Sequence, residues 1–433
     1  MSATRISGPA PLAVQIDASG MGAFNGTYDF NFGDERGLNW AVTGLPKNTQ
    51  RSGALAAHVY DLPGTYTVTV GSSTLTITVQ DPNVVFANAN TICVSTSASY
   101  SGCPAGAAQQ TALPSSYAGK RVLLRRGESF GTIAPRNTDA GFQVGAFGTG
   151  SKPNVAGVYT GMSYGVAEWA NDWTIMDLNI GSGAVNVDAT TKRFLLYRND
   201  IVVPSGGQSQ VNIGTASGYY QSHNTGSVPG SMYWPREVFL VENNIQGAVN
   251  STATPNLVVM GYFLKSALLG NTMDRATEHT LRVWAASKLV IAHNVMGGNH
   301  YAASAPGIRA ALKIHSSGLQ TFTDLISTST TPASSQVIIA NNTIGSPTFP
   351  GSWLSGLGPQ NADAGTLEGM EDFIAENNLF VRGPYSSSEI QWRGRRMTKR
   401  GNTLQGGGTP DIVRNGSNFD AGLNAWDGPY ISQ

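Results

Sequence analysis

Three short segments place a leucine directly before a cation: Phe263-Leu264-Lys265-Ser266, Thr280-Leu281-Arg282-Val283 and Ala311-Leu312-Lys313-Ile314. Successive side chains of a strand point to opposite faces, so burying Leu264, Leu281 and Leu312 would project Lys265, Arg282 and Lys313 outward. On stacked strands about 4.8 Å apart the three would form a vertical row of positive charge. Ser355 in WLSGL and Gln391 in EIQWRG continue it. Like charges at that spacing repel one another. An extended anionic polymer, its carboxylates or sulfates paired with the row, would relieve the repulsion; so would counter-ions on a solvated face. His279, His293, His300 and His315 surround the row, and His315 shares the outward parity of Lys313, which suits it to a site working near neutral pH. Trp284, Trp353 and Trp392 lie on or near the same register, where an indole either stacks on a sugar ring or packs under a loop. From this pattern Lys313, His315, Trp284 and Gln391 are expected to hold substrate.

Paired carboxylates, the other route to cleaving a glycan, are less evident. Glycoside hydrolysis uses two carboxyl groups about 5–9.5 Å apart. Glu242 and Glu376 sit beside asparagines of a repeat, and Asp363, Glu368, Glu371 and Asp372 gather in NADAGTLEGMED, but nothing selects a pair. Nothing resembling a metal or cofactor site stands out.

The elements that must position these residues repeat along the chain. LLYRNDI, FLVENNI, ALLGNTM, LVIAHNV, VIIANNTI, FIAENNL and MTKRGNTL share apolar-apolar-x-x-Asn-x-apolar. Aligned on the residue before the closing apolar one, the repeat falls at 200, 244, 272, 294, 343, 378 and 403. One coil of a β-helix takes roughly 20–30 residues, so the longer spacings are double coils or coils with long loops. Stacked asparagines bond along the axis as polar ladders do, and the flanking apolar residues stack into a continuous core. We expect a right-handed parallel β-helix over 82–433, entered through a cap at about 82–120.

Residues 1–81 alternate with the two-residue period of half-buried strands, in PLAVQIDAS, YDFNFGD, AAHVYDLPGTYTVTV and STLTITVQD. About seven short strands in that length predict an immunoglobulin-like sandwich. Phe32-Gly33-Asp34, His58-Val59-Tyr60 and Gly64-Thr65-Tyr66-Thr67-Val68 resemble the PKD family, which carries an FGD turn and an H-x-Y…G-T-Y-x-V strand pair. That resemblance implies a spacer or carbohydrate-adjacent module and a structural role for His58.

Composition agrees with an all-β chain. Only 12% of residues are charged and Gly numbers 52, which suits many short strands and tight turns. Twenty-seven basic residues balance 27 acidic ones, so global charge gives no argument for nucleic acid. No apolar run reaches the ~18 residues of a membrane span. Cys93 and Cys103 are close enough in sequence for a local disulfide in an oxidising compartment, or are two buried thiols. The opening MSATRISGPAPLAV shows no export signal.

Lys265-Ser266…Asn271-Thr272…Leu281-Arg282…His293-Asn294 resembles part of the family 6 polysaccharide lyases, right-handed β-helices acting on alginate- and dermatan-type chains. The resemblance implies Lys265 as general base and Arg282 as general acid of a β-elimination. It departs where Val283-Trp284 follows the arginine and where NLVVMGY precedes the lysine. The expected function is therefore binding or degradation of an anionic polysaccharide outside the cell or at its surface, with a lyase favoured over a hydrolase. The alternative is a phage virion protein, a tailspike, fibre or head decoration that binds host glycan without cleaving it.

Overall fold

The computed structural model describes residues 1–136, 138–159, 169–181, 183–187, 191–202, 209–213, 235–247, 256–276, 279–297, 311–315, 334–346, 354–357, 370–382, 390–392, 394–408, 410 and 412–414. The asparagine repeat builds a parallel β-helix of three faces. First-face strands, among them Thr191–Tyr197, Arg236–Val241, Ser335–Ala340 and Met370–Glu376, stack in parallel register. Each turns into a two- or three-residue strand of the second face, a ten-stranded sheet running from Ser129–Phe130 to Thr403–Leu404. Third-face strands follow, including Val185–Val187, Ser209–Ile213, Leu312–His315, Leu354–Leu357 and Ile390–Trp392. In two coils a single long strand, Asn256–Leu269 or His279–Ala292, serves both the third face and the next first face. Inward residues such as Leu240, Ile245, Val258, Met260, Leu281 and Ile291 fill one continuous apolar core.

The turn from first to second face has a fixed construction. Asp177, Arg198, Glu242, His293, Asn341 and Asn377 take left-handed φ values of 52–59°, and Gly270 and Gly401 hold the same place. The next residue in seven coils is an inward asparagine: 199, 243, 271, 294, 342, 378 and 402. Each amide nitrogen in turn donates to the Oδ1 of the following asparagine at 2.9–3.1 Å, from Asn199 to Asn402. It also donates to a strand carbonyl of the preceding coil, as Asn271 does to Leu240 at 2.8 Å. The same Oδ1 accepts the backbone N–H of the previous asparagine. Burial therefore leaves these amides fully bonded. In five coils the ladder asparagine stands one residue before the position aligned on the closing apolar residue. Val295 and Leu379 caused the slip. Both pair with Thr343 on the outer side of the second face, and the inward residues there are Met296 and Phe380.

The N-terminal residues form a β-sandwich. A three-stranded sheet of Ser2–Ala3, Leu12–Asp17 and Leu55–Tyr60 packs on a five-stranded sheet ordered Ser7–Pro9, Ser73–Gln80, Gly64–Val70, Tyr28–Asn31, Thr49–Ser52. The quoted motif residues make its buried polar knot. Arg36 and His58 both bond the Asp34 carboxylate, and against the cost of burial they hold it well below the ordinary carboxylate range. Tyr60 donates to the Phe32 carbonyl, and the Phe32 ring stacks on His58. His58 is thus spent on the fold.

Leu12–Asp17 and Leu55–Tyr60 are buried along almost their whole length, where a half-buried alternation was expected. The reason is that the β-helix covers their second side. Ala13, Leu55, Ala57 and Val59 pack with Leu195, Phe239, Ala267, Val290 and Ile338, outward residues of the first face. The contact is also polar. Gln15 donates to the carbonyls of Ser266 and Lys288 at 3.1 and 2.8 Å, and Lys288 pairs with Asp17. Gly53 donates to Glu376, which is bonded in turn by Arg400. Trp40 lies over Gly270, where a Cβ would come within 2.6 Å of the ring, and stacks on His293. In the cap, Cys93 on strand Thr91–Val94 is disulfide-bonded to Cys103.

Two outcomes follow from the ladder and the seam. Asn271→Ala removes the partner of Asn243 and of the Leu240 carbonyl, and should lower unfolding stability by about 2–4 kcal/mol in chemical denaturation. Burial drops the His293 pKa to about 3, below its ordinary 6.5. The unfolded chain therefore takes up a proton that the native state refuses. Stability contributed by neutral His293 is present above about pH 6.5 and is lost as pH falls toward 3, with a slope approaching 1.4 kcal/mol per pH unit. His293→Asn, which tolerates the left-handed backbone, should flatten that slope in denaturation midpoints measured from pH 7 to pH 4.

Candidate functional site

Register through the third face is continuous. Tyr159, Asn186, Asn212, Val259, Arg282, Lys313, Ser355, Gln391 and Val413 are successive Cα partners. Leu281, Val283, Leu312 and Ile314 are fully buried in the core, so alternation sets Arg282 and Lys313 on the outer side. These two cations stand on neighbouring coils, about 4.8 Å apart along the axis. Arg282 is half-buried and Lys313 only 7% exposed. Desolvation at such a position strengthens the pull of each charge on an anion. Upstream the row becomes an amide ladder, with Asn212 Nδ2 donating to Asn186 Oδ1 at 3.0 Å and Asn186 to the Gly183 carbonyl at 3.3 Å.

Lys265 does not belong to this row. In its strand Phe263 is the core residue and Leu264 is half-buried, the reverse of the expected parity. The coil partner of Arg282 is Val259, and Leu264 pairs with Ser287. Aligning the leucine-cation pairs therefore joined two different faces, because this long strand bends between them. Lys265 sits at the bend, exposed, with φ 50°. It is one of a series of left-handed corner residues: Asp172, Arg193, Glu237, Lys265, Lys288, Gln336 and Asp372, all with φ of 50–61°. Arg193 grips Asp172 with two bonds of 2.5 and 2.6 Å, and burial pushes the Glu237 carboxyl up. Lys265 thus lies six positions along its strand from Val259, the residue that pairs with Arg282.

The remaining expectations divide. Trp284 and His315 stand two positions beyond Arg282 and Lys313 in their strands, and Gln391 is in the row itself. His279 is buried at the edge of the third face and His293 in the docking seam. Glu242 pairs with Lys47, and Glu376 joins the two domains. His300, Trp353, Asp363 and Glu368 lie outside the described residues. One residue escaped the sequence reading. Gln210, two before Asn212 with the same outward parity, is fully buried, and neither amide atom has a partner among the described residues. Its only signal was its place in the SQVNI strand.

No family model matches the chain, and no curated protein matches it. The PKD-type and lyase-type resemblances therefore rest on the residues quoted for them. Among solved structures, the chain is similar to PfbA, a surface adhesin of Streptococcus pneumoniae. That match has 9% identity and a TM-score of 0.38, covering 65% of this chain and 82% of the adhesin. It is also similar to the GH136 lacto-N-biosidase from Eubacterium ramulus, at 9% identity and a TM-score of 0.36, covering 76% of this chain and 67% of the enzyme. At these values neither likeness says what this chain binds.

Proposed function

We propose that this is an extracellular or surface protein that binds an anionic polysaccharide lengthwise along the third face. The observation that carries the reading is the register-linked row with Arg282 and Lys313 on adjacent coils, in a chain with only 12% charged residues. An extended glycan repeats its acidic groups at intervals comparable to the coil rise, so one molecule can engage both cations. The register continues through Asn186 and Asn212 on one side of the pair and through Ser355 and Gln391 on the other. Trp284 and His315 follow two positions further along the same two strands. Binding is the activity proposed, and cleavage is an outcome of the test.

The test is isothermal titration with polygalacturonate, alginate and chondroitin sulfate, using dextran as the neutral control. Acidic chains should bind and dextran should not, with affinity falling as salt screens the charges. Arg282→Ala and Lys313→Ala should each weaken binding about tenfold or more, on the order of 1.4 kcal/mol. Lys265→Ala, off the row, should change it less than about twofold. Equal binding of neutral and acidic chains, or equal losses in Lys265→Ala and Arg282→Ala, would overturn the reading. A rise in absorbance near ~235 nm during incubation would add elimination chemistry to it.

A further inference from the structure

The third-face row continues well beyond its two cations. Upstream of Arg282 the successive Cα partners are Val259, Asn212, Asn186 and Tyr159, which places Tyr159 about 19 Å from Arg282 along the axis. Val158 and Val185 are fully buried in the core, so strand alternation turns Tyr159 and Asn186 to the outer side. The face begins here, because a single bridge, Ile133 to Val158, precedes strand Val158–Tyr159. Tyr159 therefore closes the upstream end of the row.

Its side chain is spent on nothing in the fold. Tyr159 is 45% exposed, and no other aromatic side chain among the described residues is left so open. The core at this level is filled by Val158 and Val185 instead. Scattered exposed apolar residues are ordinary, and Leu62 and Val202 are open too. Tyr159 differs from them in standing in register with Arg282 and Lys313. The floor between is neutral and fixed. Asn212 donates to Asn186 at 3.0 Å and Asn186 to the Gly183 carbonyl at 3.3 Å, so the two amides run along the row. No row position between Arg282 and Tyr159 carries a charge, so nothing in the row there repels an acidic chain. An aromatic ring at the end of such a track suits a sugar, whose weakly positive C–H groups match the negative face of the ring.

We propose that Tyr159 is the terminal sugar subsite of the third-face row, stacking on one sugar of a chain whose acidic groups lie against Arg282 and Lys313. The inference rests on lengthwise binding at the row and adds a length requirement to it. From Lys313 to Tyr159 the row spans six successive coil positions. A sugar repeat is comparable to the coil rise, so a chain shorter than about six units cannot hold both cations and the ring at once.

The experiment is calorimetric titration of the full chain with oligogalacturonates and with chondroitin sulfate oligosaccharides, each of four and of ten sugars. The variants are Tyr159→Ser, Tyr159→Phe and, as a control outside the row, Leu62→Ser in an exposed loop of the sandwich. The ten-sugar chain should bind Tyr159→Ser about fivefold or more weakly than the unaltered protein, while Tyr159→Phe, which keeps the ring, stays within about twofold. The four-sugar chain should bind the unaltered protein and Tyr159→Ser alike, and Leu62→Ser should change neither. Equal binding of the ten-sugar chain with and without the ring would overturn the subsite. So would equal losses for both lengths in Tyr159→Ser, or a like loss in Leu62→Ser. In each of these cases four-sugar binding that is lost in Arg282→Ala leaves the row itself standing. Absence of binding by both lengths in both series would overturn the row reading and the subsite with it.

Discussion

The buried asparagine ladder is the constraint on which the rest of this molecule depends. An amide inside an apolar core is costly unless all its donors and acceptors are met, and here each link meets them only if neighbouring coils stand in one register. A slip by a single residue would turn the asparagine outward and expose the core row. The left-handed residue before each asparagine gives the sharp turn that points the amide inward. Side-chain types there vary from Arg to Glu to His because only the backbone conformation is required.

Register set at this turn is transmitted around the coil. It brings Arg282 opposite Lys313 on the third face, although 30 intervening residues separate them in the chain. It also stacks the second set of left-handed residues at the corner between third and first faces. There opposite charges alternate over the first four coils, Asp172, Arg193, Glu237 and Lys265, so partial desolvation is offset by attraction between neighbours. Charge at the corner thus serves the packing of coils, whereas charge in the row faces outward between strands whose alternate residues lie in the core.

The sandwich is a fixed part of this architecture. Its three-stranded sheet has lost the polar face of an ordinary sandwich and presents Ala13 and Ala57, small enough for close approach to the first face. Gln15 donates to the carbonyl of the corner residue Lys288 and to that of Ser266, next to Lys265, and Trp40 uses the space that Gly270 leaves.

Local periodicity was enough to determine the fold class, because a two-residue alternation and a recurrent apolar-Asn-apolar unit leave few other ways to bury a core. The same reasoning placed Arg282, Lys313, Ser355 and Gln391 in one row, since strand parity is a local property. It could not place Lys265, whose Leu-Lys pair looks like the others but sits at a bend inside a 14-residue strand. Nor could it find the corner series, whose members share no residue type, or the burial of both sides of Leu12–Asp17. Those were decided by tertiary structure alone. A bend is set by a backbone angle that many side chains accept, and a docked face by a partner surface hundreds of residues away.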